Sequence, residues 1–166
     1  MKILVDADAC PVKEIIERIA QEHQLPVLMF IDTSHILYSD YSEILLVSKA
    51  PDAVDFALMN RTEKGDIVIS QDYGVAAMAL GKGAYAIHPN GKLYSDSNID
   101  ILLMERDIAK HYRNAGTRRG GKSHLRGHAH LGGHIKKRTS AEDDKFAQAF
   151  GELCDWVCRK GDSTEK

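Results

Sequence analysis

Five short apolar runs, KILVD, PVLMFID, ILLVS, DIVIS and AYAIH, recur through the first 88 residues of the chain. They lack the strict in-and-out alternation of a half-solvated strand. Near-continuous Val, Ile and Leu is the signature of strands in a parallel sheet, where helices cover both faces. Helical patterns fill the gaps. The first starts near Pro11, a favoured first-turn residue, and puts Val12, Ile15, Ile16, Ile19 and Ala20 on one stripe. A second runs from about Asp52 to Glu63, with Val54, Ala57 and Leu58 inward, and ends at Lys64-Gly65. A third covers about Tyr73 to Leu80 and is closed by Gly81 and Gly83. Residues 98–112 read as a fourth helix and Ser140 to Cys158 as a fifth, whose SAED start has capping-box form. This alternation predicts an α/β fold: a doubly wound three-layer α/β/α sandwich with a mainly parallel, roughly five-stranded sheet.

With 166 residues the chain suits one domain, expected over residues 1–158, with 159–166 a flexible tail. Residues 114–139 contain six glycines and almost no large apolar side chains, so a mobile loop is expected there. Charge is segregated around it. The formal net charge is −2, yet no acidic residue lies between Ile108 and Ala141, a span that holds nine Lys and Arg. The rest of the chain carries 13 basic against 24 acidic residues, a net −11. An acidic body with a basic arm suits a protein that holds a polyanion near a carboxylate centre, although a solvated basic linker gives the same pattern. No stretch approaches the ~18 apolar residues of a membrane span, and Lys2, Asp6 and Asp8 do not fit a signal-peptide core. A cytoplasmic protein is expected. Cys10, Cys154 and Cys158 are odd in number and lack a second metal-binding half, so packed, reduced thiols are expected.

In open parallel sheets, ligands bind at the carboxyl ends of the strands. The first strand delivers Asp6 and Asp8 there; the second Asp32, Thr33, Ser34 and His35; the third Ser48; the fourth Ser70, Gln71 and Asp72. Asp52 and Asp55 join them from the first turns of the second helix. Carboxylates gathered from separate segments repel unless hard cations sit among them, and Mg²⁺ or Mn²⁺ prefers oxygen ligands. Each acid also has a plainer role. Asp8 can cap the first helix and Asp72 the third, one of Asp52 and Asp55 can cap the second, and Asp66, at the opposite edge, reads as structural.

The segments VDADACPVK, DAVDFAL, KGDIVISQDYGVAAMALGKGAYAIHPNG and KKRTSAEDDKFAQAF together resemble the YaiI/YqxD family (DUF188) over essentially the whole chain. That family is in turn similar to the PIN-like nucleases, which implies a PIN-like fold, Mg²⁺ or Mn²⁺ as cofactor, and hydrolysis of phosphodiester bonds, commonly in RNA. Carried over, the resemblance makes Asp6 and Asp8 the first acidic motif, Asp52 and Asp55 the second and Asp72 the third. Asp6, Asp8, Asp55 and Asp72 would then be catalytic, and all five metal ligands. The second acid is Asp where PIN-like domains usually carry Glu. His124, His128, His130 and His134 also depart from the family's Lys/Arg/Gly-rich tail and fit a weakly charged polyanion-binding arm better than a Zn²⁺ or Ni²⁺ site.

On this reading the expected partner is nucleic acid, RNA before DNA, and no membrane. Thr33, Ser34 and Ser70 would hydrogen-bond phosphate oxygens and Tyr73 would stack a base. Arg118, Arg119, Lys122 and Arg126 would make salt-sensitive backbone contacts. Two alternatives remain. A non-catalytic RNA-binding or regulatory PIN-like domain fits the loss of Glu. The Asp-x-Asp motif also resembles aspartate-based phosphatases, but Cys10 and the lack of a convincing catalytic lysine speak against that class.

Overall fold

In a computed structural model, the chain is described over residues 1–8, 10–34, 36–117 and 138–162. Six strands and five helices follow one another: β1 (Ile3–Asp6), α1 (Lys13–Glu22), β2 (Val27–Asp32), β3 (Glu43–Val47), α2 (Ala53–Arg61), β4 (Ile67–Ile69), α3 (Tyr73–Gly81), β5 (Tyr85–Ile87), β6 (Leu93–Tyr94), α4 (Asp96–Thr117) and α5 (Ser140–Asp162). The strand order is β3-β2-β1-β4-β5-β6. The first five run parallel and β6 is antiparallel to β5. The chain winds outward from β1 in both directions, which puts the carboxyl ends of β1 and β4 side by side at the centre of one edge.

Alternate residues of each strand feed two cores. Ile3, Val5, Val27, Met29, Ile31, Ile67 and Ile69 pack under α1 and α5, while Leu4, Leu28, Phe30 and Val68 pack under α2, α3 and α4. Both faces of β1, β2 and β4 are covered, which is why those strands read as unbroken apolar runs, while the edge strand β3 leaves Leu46 67% exposed. Phe146 and Phe150 of α5, both fully buried and stacked 5.4 Å apart, anchor one outer layer. Cys10 and Cys154 are buried free thiols, pushed up by burial to about 11 and about 12, so they pack as expected.

Several local expectations are corrected. The sheet has six strands because Pro89-Asn90-Gly91 turns the chain back on itself. Gly91 adopts φ +86°, donates to His88 O at 2.9 Å, and leaves 3.0 Å between a would-be Cβ and Lys145 O. A two-residue strand is too short to announce itself by periodicity. Pro11 is not in the first turn; α1 begins at Lys13, with Val12 in the cap position. The capping box of α5 is shifted by one residue. Thr139 and Glu142 bond reciprocally, with Glu142 Oε2 accepting from Thr139 N at 2.8 Å, while Asp143 pairs with Arg138. Helix α4 runs on to Thr117 and α5 to Asp162, beyond the ends expected at 112 and 158.

Candidate functional site

Asp6 is the last residue of β1, and its side chain leaves the apolar strand only where the strand meets the edge. It accepts the hydroxyl of Ser70 at 3.0 Å. Ser70 follows β4, is 2% exposed, and its hydroxyl also accepts from the backbone N–H of Asp72 at 3.0 Å. One buried hydroxyl therefore ties the acid after β1 to the acid after β4. Burial pushes the Asp6 carboxyl above its ordinary range; Asp8 and Asp72 push it further, against the Ser70 hydrogen bond and the Lys13 charge.

Asp8 does not cap α1. Val12 occupies that cap without a side-chain bond, and Asp8 reaches across to accept from the backbone N–H of Asp32 at 3.1 and 3.3 Å. Asp8 lies beside the end of β2 because the chain stays in register with it past β1, Ala7 N donating to Phe30 O at 2.9 Å. Asp72 does cap α3, its Oδ1 accepting from Gly74 N at 2.5 Å and Val75 N at 3.2 Å. The same carboxylate faces the cleft, where Arg106 Nη1 of α4 stands 3.3 Å from Oδ1 and 3.4 Å from Oδ2.

Neither acid of the second motif caps α2. Asp52 holds the cap position in left-handed geometry, φ +57°, and makes no cap bond. Such a conformation is uncommon outside glycine, with Asp among the residues that tolerate it best. Asp55, half-buried on the first turn, accepts no hydrogen bond among the described residues. Burial, followed by Asp6, Asp72 and Asp52, pushes its pKa up to about 6. Asp52, Asp55, Asp72 and Arg106 share a cleft of about 480 Å³ with Phe56 and Met78.

The remaining expected residues divide. Thr33 is exposed just past β2, and Ser34 turns back so that its N–H and hydroxyl both bond Asp32 Oδ1. Tyr73 is half-buried, its ring edge-on to Tyr94 at 5.9 Å, while the Tyr94 hydroxyl donates to Ser70 O at 3.3 Å. His35, Arg118, Arg119, Lys122, Arg126 and the four histidines from His124 to His134 lie outside the described residues.

Two cations were not anticipated. Lys13 binds the carbonyls of Ala7 and Cys10 at 2.9 and 2.6 Å and so pins the loop that carries Asp8. A lysine at the positive end of a helix is misplaced for the dipole, and that was its signal in the sequence. Arg106 lies three or four residues beyond Leu102 and Leu103, so the wheel of α4 turns it toward α3.

Oxygen-only donors suit Mg²⁺ or Mn²⁺ chemically, and such ions commonly keep most of their waters and take only one or two carboxylates. Among the described residues, no three His, Cys, Asp or Glu side chains stand close enough to share one ion. No helix among them is long and apolar enough to cross a membrane.

The fold and its edge thus define a doubly wound α/β domain with acids at the carboxyl ends of β1 and β4 and an acidic cleft between α2, α3 and α4. The chain belongs to the uncharacterised YaiI/YqxD family, DUF188, whose model matches residues 4–155. It is 60% identical to a UPF0178 protein of Lachnoclostridium phytofermentans over 92% of this chain and 96% of that protein. It is 56% identical to one of Clostridium acetobutylicum over the same shares, and 50% identical to one of Ruminiclostridium cellulolyticum over 90% of each. No solved structure matches.

Proposed function

We propose that this protein is a divalent-metal-dependent nuclease that hydrolyses phosphodiester bonds, in RNA by preference, with Mg²⁺ or Mn²⁺ held among Asp6, Asp8, Asp55 and Asp72. The observation that carries this reading is Asp55. A half-buried carboxylate without a hydrogen-bond partner among the described residues, beside three other acids, is a costly arrangement that a hard cation relieves. The bound ion would supply Lewis acidity, lowering the pKa of the attacking water and neutralising charge on the phosphate. Within the chain, Ser70 sets the spacing of Asp6 and Asp72, the Asp32 amide and Lys13 fix the Asp8 loop, and Asp52 extends the acidic rim of the cleft.

A non-catalytic nucleic-acid-binding role draws support from one specific observation: three donors do not yet converge on one point among the described residues. The deciding experiment is cleavage of end-labelled single-stranded and hairpin RNA and DNA by metal-stripped protein with Mn²⁺ or Mg²⁺ restored, beside Asp6→Asn. Metal-dependent cutting that vanishes in the variant supports the nuclease. RNA binding without cutting, in both proteins, supports the binding role. An aspartyl-phosphate adduct on Asp6 without strand cleavage would instead indicate phosphatase chemistry.

A further inference from the structure

We infer that Arg106 is the phosphodiester-binding residue of this cleft, held by Asp72 in the metal-free protein and released to substrate when a metal takes its place. The inference rests on the metal-dependent reading and begins from the oxygens of Asp72. Oδ1 is committed to the backbone: it accepts from Gly74 N and Val75 N, and those bonds are fixed by the start of α3. Oδ2 meets one donor among the described residues, Arg106 at 3.4 Å. A cation that reaches Asp72 without unwinding α3 is left Oδ2, and the guanidinium straddles both oxygens, 3.3 Å from Oδ1 and 3.4 Å from Oδ2. Two positive groups on one carboxylate repel, so an ion on Oδ2 competes with Arg106 for Asp72 and loosens its hold.

The contact is built to break. Both side chains are nearly half exposed, at 43% and 46%, and the 3.3 and 3.4 Å separations are long for a charge-assisted bond. The backbone of Arg106 stays put, because Ile99 and Leu102 on the same helix are buried against the sheet's outer layer. A displaced guanidinium therefore remains in the cleft beside Asp55, Phe56 and Met78, in a space the size of ordinary small-ligand sites. Its planar fork matches two phosphate oxygens, and it is the arginine that lines this cleft among the described residues.

The test compares wild type, Arg106→Gln and Arg106→Lys, with urea midpoints recorded for each so that loss of folding is visible. Mn²⁺ affinity is read from the signal of free Mn²⁺. Affinity for a short labelled single-stranded RNA is read by fluorescence anisotropy, in EDTA and in Mn²⁺, in the cold before turnover. The expected result for Arg106→Gln is Mn²⁺ binding tightened severalfold and RNA binding in Mn²⁺ weakened about tenfold, with little change in EDTA. Arg106→Lys should recover part of the RNA affinity, since it keeps the charge and loses the fork. If wild type binds Mn²⁺ and Arg106→Gln changes neither affinity, Arg106 only joins α4 to α3, and the inference is overturned while the metal site stands. If wild type binds no Mn²⁺, the metal reading fails and the inference fails with it.

Discussion

Asp55 and Asp66 are the same side chain at opposite ends of one sheet, and their surroundings make them opposites. Asp66 is 1% exposed and fully answered: it accepts from Lys2 N at 2.9 Å and Glu63 N at 2.8 Å and pairs with Lys2 Nζ at 2.9 Å. Removing a buried partner strands the others, so Asp66→Ala should cost about 3 kcal/mol in urea unfolding while leaving Mn²⁺ affinity unchanged. Asp55 has the reverse sign. Its folded pKa of about 6 lies above the unfolded value of 3.8, so folding carries a penalty that is absent below the unfolded pKa, grows as pH rises between the two, and is complete above about 6. Metal-free Asp55→Asn should therefore be more stable than wild type at pH 7, by on the order of 1 kcal/mol after solvent screening, with the difference vanishing near pH 4. Thermal melts across pH check this; a variant less stable at neutral pH would contradict it. The sequence distinguished these two acids by the edge of the sheet each occupies. It could not reveal that Ser70, expected at the substrate, is buried as the tie between Asp6 and Asp72, because its partner is 64 residues away.

Helix ends show the same division between pattern and context. The start of α5 was legible as a capping box, yet SAED and the true TSAE frame differ by one residue, and only the reciprocal bonds of Thr139 and Glu142 decide between them. Thr139→Ala should cost about 1 kcal/mol, while Ser140→Ala should be near neutral, as read by urea midpoints. A larger cost at Ser140 than at Thr139 would return the cap to Ser140. Asp8 misled for a physical reason. An aspartate before a helix is ordinarily a cap, but here the parallel neighbour β2 offers the Asp32 amide. The short β6 escaped notice because two residues carry no period, and Gly91 is the residue that makes its turn possible.

Across the whole molecule, the alternation of apolar runs and helical stripes was enough to give the doubly wound sandwich, since both faces of the central strands are covered and the pattern records it. What it could not give was which helix residues turn toward the edge, and so Arg106 emerged only with the fold in hand, as did the carbonyls that Lys13 binds. The segregated charge belongs to this scale too. The acidic body carries a cleft between α2, α3 and α4, and the chain between α4 and α5 supplies the cations Arg118, Arg119, Lys122 and Arg126. If these neutralise phosphates of a single strand, changing all four to Gln should reduce the slope of log affinity against log salt by about 3, at about 0.7 per contact, without altering Mn²⁺ affinity. The proposed divalent ion lies among Asp6, Asp8, Asp55 and Asp72. The most direct test is anomalous diffraction from crystals grown with Mn²⁺. A manganese peak is expected at the carboxyl ends of β1 and β4, within coordination distance of Asp6 and of Asp72 Oδ2, with Arg106 moved off Asp72. Crystals saturated with Mn²⁺ that show no peak there, with Arg106 still on Asp72, would contradict that placement.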